Sequence, residues 1–188
     1  MAERAARLSP LEGVVYGERA IAEAVAALAR RIAADTVGSE PLLLVGVLKG
    51  AAFLACDLAR ALPPVLDVRL DFLAVSSYGH SHRSTGRVRL FRDTTESIEG
   101  KHVVIVEDIV ETGLTLEYLL SELGARRPAS LRACVLLDKP FRRVAPVRPE
   151  YVAFEAPDAF IVGYGLDYQE KYRNLPYLAR LRSEALDG

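Results

Sequence analysis

The sequence predicts an α/β domain, a central parallel sheet flanked by helices with a hairpin inserted into it. Three observations lead there. Apolar runs of strand length alternate along the chain with segments of helical period. The central runs are continuous Val, Ile and Leu, as in strands covered on both faces. Between two strand-like runs lies "SSYGHSHRSTGR", polar and carrying two glycines, which reads as a hairpin loop.

Taken in order, Ile21 to Ile32 places apolar residues at helical spacing, with Arg30 and Arg31 toward the end that the helix dipole favours for cations. "PLLLVGVLKG" is a short buried strand with a polar stop, and "AAFLACDLARAL" is a helix. "VLDVRLDFLAV" alternates over part of its length and is a strand, with "RVRLF" as its return after the polar loop. "KHVVIVED" is the next strand, followed by a helix from Leu114 to Leu123 that stops at Gly124. "SLRACVLLDK" is a strand, "YVAFEA" a shorter one and "AFIVGYGLD" the last. "LPYLARLRSEAL" is expected to close the chain as a helix.

Composition narrows the function classes. A chain of 188 residues is expected to be one domain with a substantial core. With 51% hydrophobic residues and a net charge of −1, it reads as a soluble globular protein, not as a general nucleic-acid or membrane binder. A local basic patch stays open. "MAERAARLSP" lacks the apolar core of a secretory signal, and the apolar stretch Leu42 to Leu48 is too short to span a bilayer. Cys56 and Cys134 have neither metal-ligand nor CxxC spacing, so a reduced, cytoplasmic protein is expected. Arg greatly outnumbers Lys, and Gln169 and Asn174 are the only amide side chains. That bias fits either a thermophile or a GC-rich genome.

The chemistry concentrates in "VVIVEDIVETGLTL", Val103 to Leu116. A buried strand ends in Glu107 and Asp108, and Glu111-Thr112-Gly113-Leu114-Thr115 then turns into a helix. In an open parallel sheet, ligands bind beyond the carboxyl ends of the strands. A glycine turn before a helix frees backbone N–H groups to surround an anion, and the Thr112 and Thr115 hydroxyls add donors. The carboxylates suit hydroxyls or a metal, so the segment fits a sugar phosphate. Neither a Walker loop nor GxGxxG is present. The plainer account is a strand-to-helix turn whose solvated acids complement the helix dipole. Three acids together with TGxT after a buried strand favour the ligand site.

This segment resembles the phosphoribosyl-diphosphate (PRPP) binding motif of the type I phosphoribosyltransferases. "VGVLKGAAFLACDLARAL", "LDFLAVSSYG", "LLDKPFRR" and "AFIVGYGLDYQEKYRNLPY" resemble, in order and spacing, the hypoxanthine-guanine branch of that family. The likeness runs from Val14 to Leu178. It implies one phosphoribosyltransferase domain over 1–188, a mobile hairpin loop, and a small hood from about 1–15 and about 150–188. It also implies transfer of phosphoribosyl from PRPP to hypoxanthine or guanine, with Mg²⁺, giving IMP or GMP and pyrophosphate. Relatives of this kind are commonly dimers or tetramers, so a homodimer or homotetramer is implied, with no membrane or nucleic-acid partner.

Residue by residue, the resemblance assigns Glu107 and Asp108 to the ribose hydroxyls and the loop Glu111 to Thr115 to the 5′-phosphate. Lys49 and Gly50 match the pyrophosphate loop, where the Leu48–Lys49 peptide can be cis, and Arg173 a pyrophosphate contact. Asp167 matches a magnesium-binding position, where one carboxylate suffices because Mg²⁺ keeps waters and takes ligand phosphates. Lys139 matches a donor to the exocyclic oxygen of a 6-oxopurine, Phe160 the aromatic that stacks on the base, and Ile161 a backbone contact to its edge. Ser77 and Tyr78 begin the mobile loop. As isolated residues, Lys49 is better read as a helix-entry charge, Asp167 and Arg173 are equally surface charges, Phe160 is equally strand core, and the Ser77-Tyr78 segment is equally a polar hairpin tip.

One position departs from the pattern. Glu111 stands where the family usually has Asp, assigned as general base for the purine N7 proton, and it adds a methylene in a tight loop. Leu114 fills a position that is polar in some relatives. Two other functions share the motif: a xanthine-preferring phosphoribosyltransferase, and a non-catalytic regulator such as an RNA-binding attenuator. Lys139, Phe160 and "GYGLDYQEKYR" favour the purine enzyme, and a net charge of −1 offers no extensive RNA surface.

Overall fold

The computed structural model describes residues 10–77 and 88–185. Among the described residues, nine strands and three helices follow one another: β1 (Leu11–Tyr16), α1 (Glu18–Asp35), β2 (Leu42–Leu48), α2 (Ala52–Ala61), β3 (Val68–Ser77), β4 (Val88–Arg92), β5 (His102–Val110), α3 (Leu114–Gly124), β6 (Ser130–Asp138), β7 (Tyr151–Glu155), β8 (Ile161–Val162) and β9 (Leu178–Leu181). Short 3-10 turns occupy Pro140–Arg142 and Ser183–Ala185.

The main sheet has the order β4-β3-β2-β5-β6-β7. Its strands run parallel except β4, which returns antiparallel to β3 as the expected hairpin. Alternation along each strand sends side chains to two separate cores. Leu42, Leu44, Val104 and Val106 join Ile21, Val25, Leu28 and Ile32 of α1 and Leu54 and Leu58 of α2. Leu43, Val45, Val103 and Ile105 face the other way, onto Leu116, Leu119 and Leu123 of α3. Each large aliphatic buried this way contributes about 1.5–3 kcal/mol, which is why both faces of the central strands are apolar. Cys134 lies buried in the first of these cores, and burial pushes its thiol up to about 12, a packing residue and not a reactive one.

Three segments differ from the sequence-based expectation. "LPYLARLRSEAL" is not a helix: Leu178–Leu181 is strand β9, and the 3-10 turn at Ser183–Ala185 follows it. Its leucines, three apart, satisfy a helical pattern, yet Leu178, Ala179 and Leu181 are buried by antiparallel pairing with β1 and β8, so tertiary contacts override local propensity. Strand β1, unpredicted, completes this second sheet of order β1-β9-β8. "AFIVGYGLD" contributes only Ile161–Val162 to it, and Tyr151–Glu155 pairs in the main sheet instead. No helix among the described residues is long and apolar enough to cross a membrane.

Candidate active site

The chain reverses direction across the sheet between β2 and β5. From β2 it crosses through α2 to β3 on one side, and from β5 through α3 to β6 on the other. At such a switch point the loops diverge and leave a cleft beyond the strand ends. Lys49 and Gly50 follow β2 there, and Glu107, Asp108 and the Glu111–Thr115 loop mark the end of β5.

Glu107 and Asp108 lie within the last residues of β5, not beyond it. Glu107 is 6% exposed and its Oε1 has no hydrogen-bond partner. Burial, with Asp108 adjacent, raises its carboxyl well above the usual range. Burial also raises Asp108, opposed by the N–H of Ile109, which donates to its Oδ1 at 2.8 Å. Gly50 packs on this carboxylate: a Cβ at Gly50 would lie 1.6 Å from Asp108 Oδ2. Only glycine allows β2 and β5 to bring their ends this close.

The 111–115 loop is held from behind. Thr112 carbonyl accepts N–H groups of Val144 and Ala145, each at 2.9 Å. Arg143 donates to the carbonyl of Glu111 at 3.1 Å and to that of Val147 at 2.8 Å, and it pairs with Asp138. Gly113 has φ +83°, and a Cβ there would meet Arg143 Cδ at 2.7 Å. Glycine is therefore required for both conformation and space. Gly113, at the N-cap of α3, has no side chain to cap it, and the Thr112 hydroxyl accepts the N–H of Leu114 only at 3.5 Å. Beside this first turn, whose N–H groups lack intrahelical acceptors, lies a cavity of about 220 Å³ lined by Glu107, Glu111, Thr112, Gly113 and Thr115.

Beside this cavity, Lys139 at the end of β6 is 4% exposed. Its Nζ donates to Glu111 Oε1 at 2.5 Å and to the carbonyl of Ala159 at 3.2 Å. Phe160, next to Ala159, is 41% exposed and meets Tyr168 edge-on with ring centroids 5.5 Å apart. It is not strand core: its ring stays available to a flat partner. Ile161 is buried in β8.

The β2 end of the cleft carries charges. The Leu48–Lys49 peptide is cis. Lys49 Nζ lies 2.9 Å from Glu170 Oε2, and Arg173 reaches Asp167 Oδ1 at 2.7 Å and Glu170 Oε1 at 3.3 Å. Arg173 also donates to the carbonyl of Gly165 at 2.7 Å. Gly165 in turn sits on Gly50, since a Cβ there would fall 1.9 Å from the Gly50 carbonyl oxygen. Asp167 Oδ2 accepts the N–H of Glu170 at 2.8 Å.

The phosphoribosyl transferase domain family matches residues 15–169. The chain belongs to the phosphoribosyltransferase family. Among similar proteins, the hypoxanthine-guanine phosphoribosyltransferase of Mycobacterium avium is 51% identical over 152 residues, covering 81% of this chain and 73% of the relative. The protein of that name from Dictyostelium discoideum is 45% identical over 172 residues, covering 91% of this chain and 96% of the relative. In structure, a hypoxanthine phosphoribosyl transferase of Trypanosoma cruzi, studied for the role of its C-terminal region in oligomeric state and enzymatic activity, superposes with a TM-score of 0.88 at 44% identity, over 94% of each chain.

In this phosphoribosyltransferase, the fold brings Lys49, Gly50, Asp108, Asp167 and Arg173 into one neighbourhood, and Glu107 and Glu111 into another beside the loop, with Lys139 and Phe160 next to Glu111. Ser77 ends β3, whereas Tyr78 lies outside the described residues. Three participants escaped the sequence reading. Arg143 was within "LLDKPFRR", and Gly165 and Glu170 within "GYGLDYQEKYR", but nothing in their spacing announces what they touch.

Proposed function

We propose that this phosphoribosyltransferase transfers phosphoribosyl from PRPP to hypoxanthine or guanine, releasing pyrophosphate and forming IMP or GMP. The observation that carries the reading is the Lys139–Glu111 pair beside the half-exposed face of Phe160. A lysine ammonium has three donors. Two are used by Glu111 and Ala159, and the third is left for an acceptor at carbon 6 of a purine stacked on Phe160. Adenine presents an amino donor there and is disfavoured. Ile161 backbone groups complete the contact with the base edge.

In the reaction, a purine nitrogen bonds to ribose C1 as the bond from C1 to the pyrophosphate oxygen breaks. Glu111 takes the proton from purine N7; its side chain is partly exposed and already touches the lysine that faces carbon 6. Glu107 and Asp108 accept the ribose hydroxyls, which supplies the missing partner of Glu107 Oε1. Thr112 to Thr115 hold the 5′-phosphate by backbone N–H and hydroxyl groups, so Leu114 costs the loop no essential donor. Lys49, Gly50 and Arg173 receive the pyrophosphate.

Bound together with PRPP, Mg²⁺ would supply charge neutralisation for the pyrophosphate, with Asp167 as the residue that would hold it. Asp167 supplies a hard carboxylate oxygen at the right end of the cleft, and among the described residues no group of three or more His, Cys, Asp or Glu side chains forms a metal cage. That fits a cation ligated largely by water and phosphate. The second sheet is the hood over the cleft, residues 1–188 act as one domain, and the protein works in the cytoplasm as a homodimer or homotetramer.

The test is a steady-state assay with PRPP, Mg²⁺ and either hypoxanthine or guanine. Nucleotide and pyrophosphate are expected in equal amounts. No turnover of any 6-oxopurine would remove the proposal.

A further inference from the structure

The turn that carries Asp167 and Arg173 has an unusual backbone. Gln169, Glu170 and Tyr172, none of them glycine, take φ of +51°, +63° and +75°. Left-handed residues of this kind persist where surrounding structure gains from them. Here the turn is closed by reciprocal bonds between Tyr168 and Lys171, at 3.2 and 3.0 Å, and by the N–H of Glu170 on Asp167. Its effect is to project Glu170 across the cleft toward Lys49, 121 positions earlier in the chain.

The two oxygens of Glu170 then divide between two cations. Oε2 accepts from Lys49 at 2.9 Å and Oε1 from Arg173 at 3.3 Å. Those are the two cations assigned above to pyrophosphate, and a bridging anion with one oxygen on each is the arrangement a phosphate oxygen pair would adopt. With Asp167 also on Arg173, two carboxylates balance two cations, so this end of the cleft offers an entering anion no net positive charge.

We infer that Glu170 is an internal stand-in for pyrophosphate. It keeps Lys49 and Arg173 in place while the cleft is empty, and it must release both before PRPP binds. It also competes with product pyrophosphate for the same cations. The inference rests on the functional reading above. Lys49 and Glu170 side chains are 66% and 63% exposed, so the exchange is an easy one between a screened ion pair and a ligand.

The experiment compares the full-length wild type with Glu170→Gln, titrating inorganic pyrophosphate with Mg²⁺ by calorimetry and measuring KM for PRPP and for hypoxanthine. Glu170→Gln is expected to tighten pyrophosphate by about 2- to 5-fold, the range for one exposed pair, and to lower KM for PRPP similarly. KM for hypoxanthine stays unchanged, and the gain shrinks in high salt. Unchanged or weaker pyrophosphate binding in an active enzyme overturns the inference alone, because Glu170 would then be a support for Lys49. A wild type that neither turns over PRPP nor binds pyrophosphate overturns the functional reading and this inference with it. Should Glu170→Gln fail to fold, Glu170→Asn, which suits the left-handed backbone, carries the same expectation.

Discussion

At one end of the cleft, the Glu111–Thr115 loop offers an anion the backbone N–H groups at the start of α3. Gly113 at φ +83°, Arg143 on the Glu111 carbonyl and two N–H groups on the Thr112 carbonyl hold it in shape. At the other end, Lys49, Arg173, Asp167 and Glu170 form a cluster of side-chain ion pairs, largely exposed at Lys49 and Glu170. The first end is formed before ligand arrives. The second is occupied by its own carboxylates. In the proposed reaction the 5′-phosphate stays on the ribose from substrate to product, whereas pyrophosphate enters and leaves. A fixed backbone cradle suits the group that is retained, and exchangeable side chains suit the one that departs.

The comparison is broken most severely at Glu111, on the border between cradle and base. Glu111→Gln keeps the shape and removes the proton acceptor, so turnover is expected to fall roughly 10²- to 10⁴-fold in single-turnover kinetics. Unchanged turnover would strip Glu111 of the role. Glu111→Asp sharpens the point. In this protein the longer side chain already meets Lys139 at 2.5 Å, so shortening it withdraws the carboxylate by roughly 1 Å and lowers turnover by up to about 100-fold. A rise in rate would instead show that the extra methylene is a handicap.

Gly113→Ala attacks the cradle itself. It forces a side chain into the left-handed region and against Arg143, and should cost about 1–3 kcal/mol of stability in urea melts. PRPP affinity should fall with it. Glu170→Gln, at the exchangeable end, should leave stability almost untouched, because exposed pairs contribute so little.

Smaller still is a pH effect. Glu107 keeps its proton in the folded chain to a higher pH than in the unfolded chain, because burial raises its pKa. Stability from this group is therefore present below the ordinary glutamate range and is lost as pH rises through the raised value. Glu107→Gln removes that loss, so its urea stability should gain on the wild type as pH rises above the ordinary glutamate range, although PRPP binding suffers. A parallel pH dependence in both proteins would deny the buried carboxylate its raised pKa.

Legibility in the sequence follows the same division. Val103 to Val106 and the acids after them announce strand, cleft and glycine turn together, because β5 is buried on both faces and its turn needs a glycine. Lys139 and Phe160 were reached through the family's motifs; only the fold explains why a lysine is buried, since Glu111 sits 28 positions away. Of the small sheet, only β8 was legible as a strand. Val14 of β1 is 60% exposed, and its strand pairs with β9 from the far end of the chain, where the spacing of Leu175, Leu178 and Leu181 imitates a helix. Glu170 was hidden for a similar reason: its role depends on a left-handed turn and on a partner 121 residues away.

The most direct test of the central claim is base selectivity, measured as the ratio of kcat/KM for hypoxanthine to that for adenine, in the wild type and in Lys139→Met. A hydrogen bond from a charged donor is worth about 1.5–3 kcal/mol, so removing it should reduce kcat/KM for hypoxanthine by roughly 10- to 100-fold. The wild type is expected to favour hypoxanthine strongly, and Lys139→Met to lose most of that preference. Equal use of adenine by the wild type, or a preference that survives in Lys139→Met, would contradict the assignment of Lys139 and the 6-oxopurine site built around it.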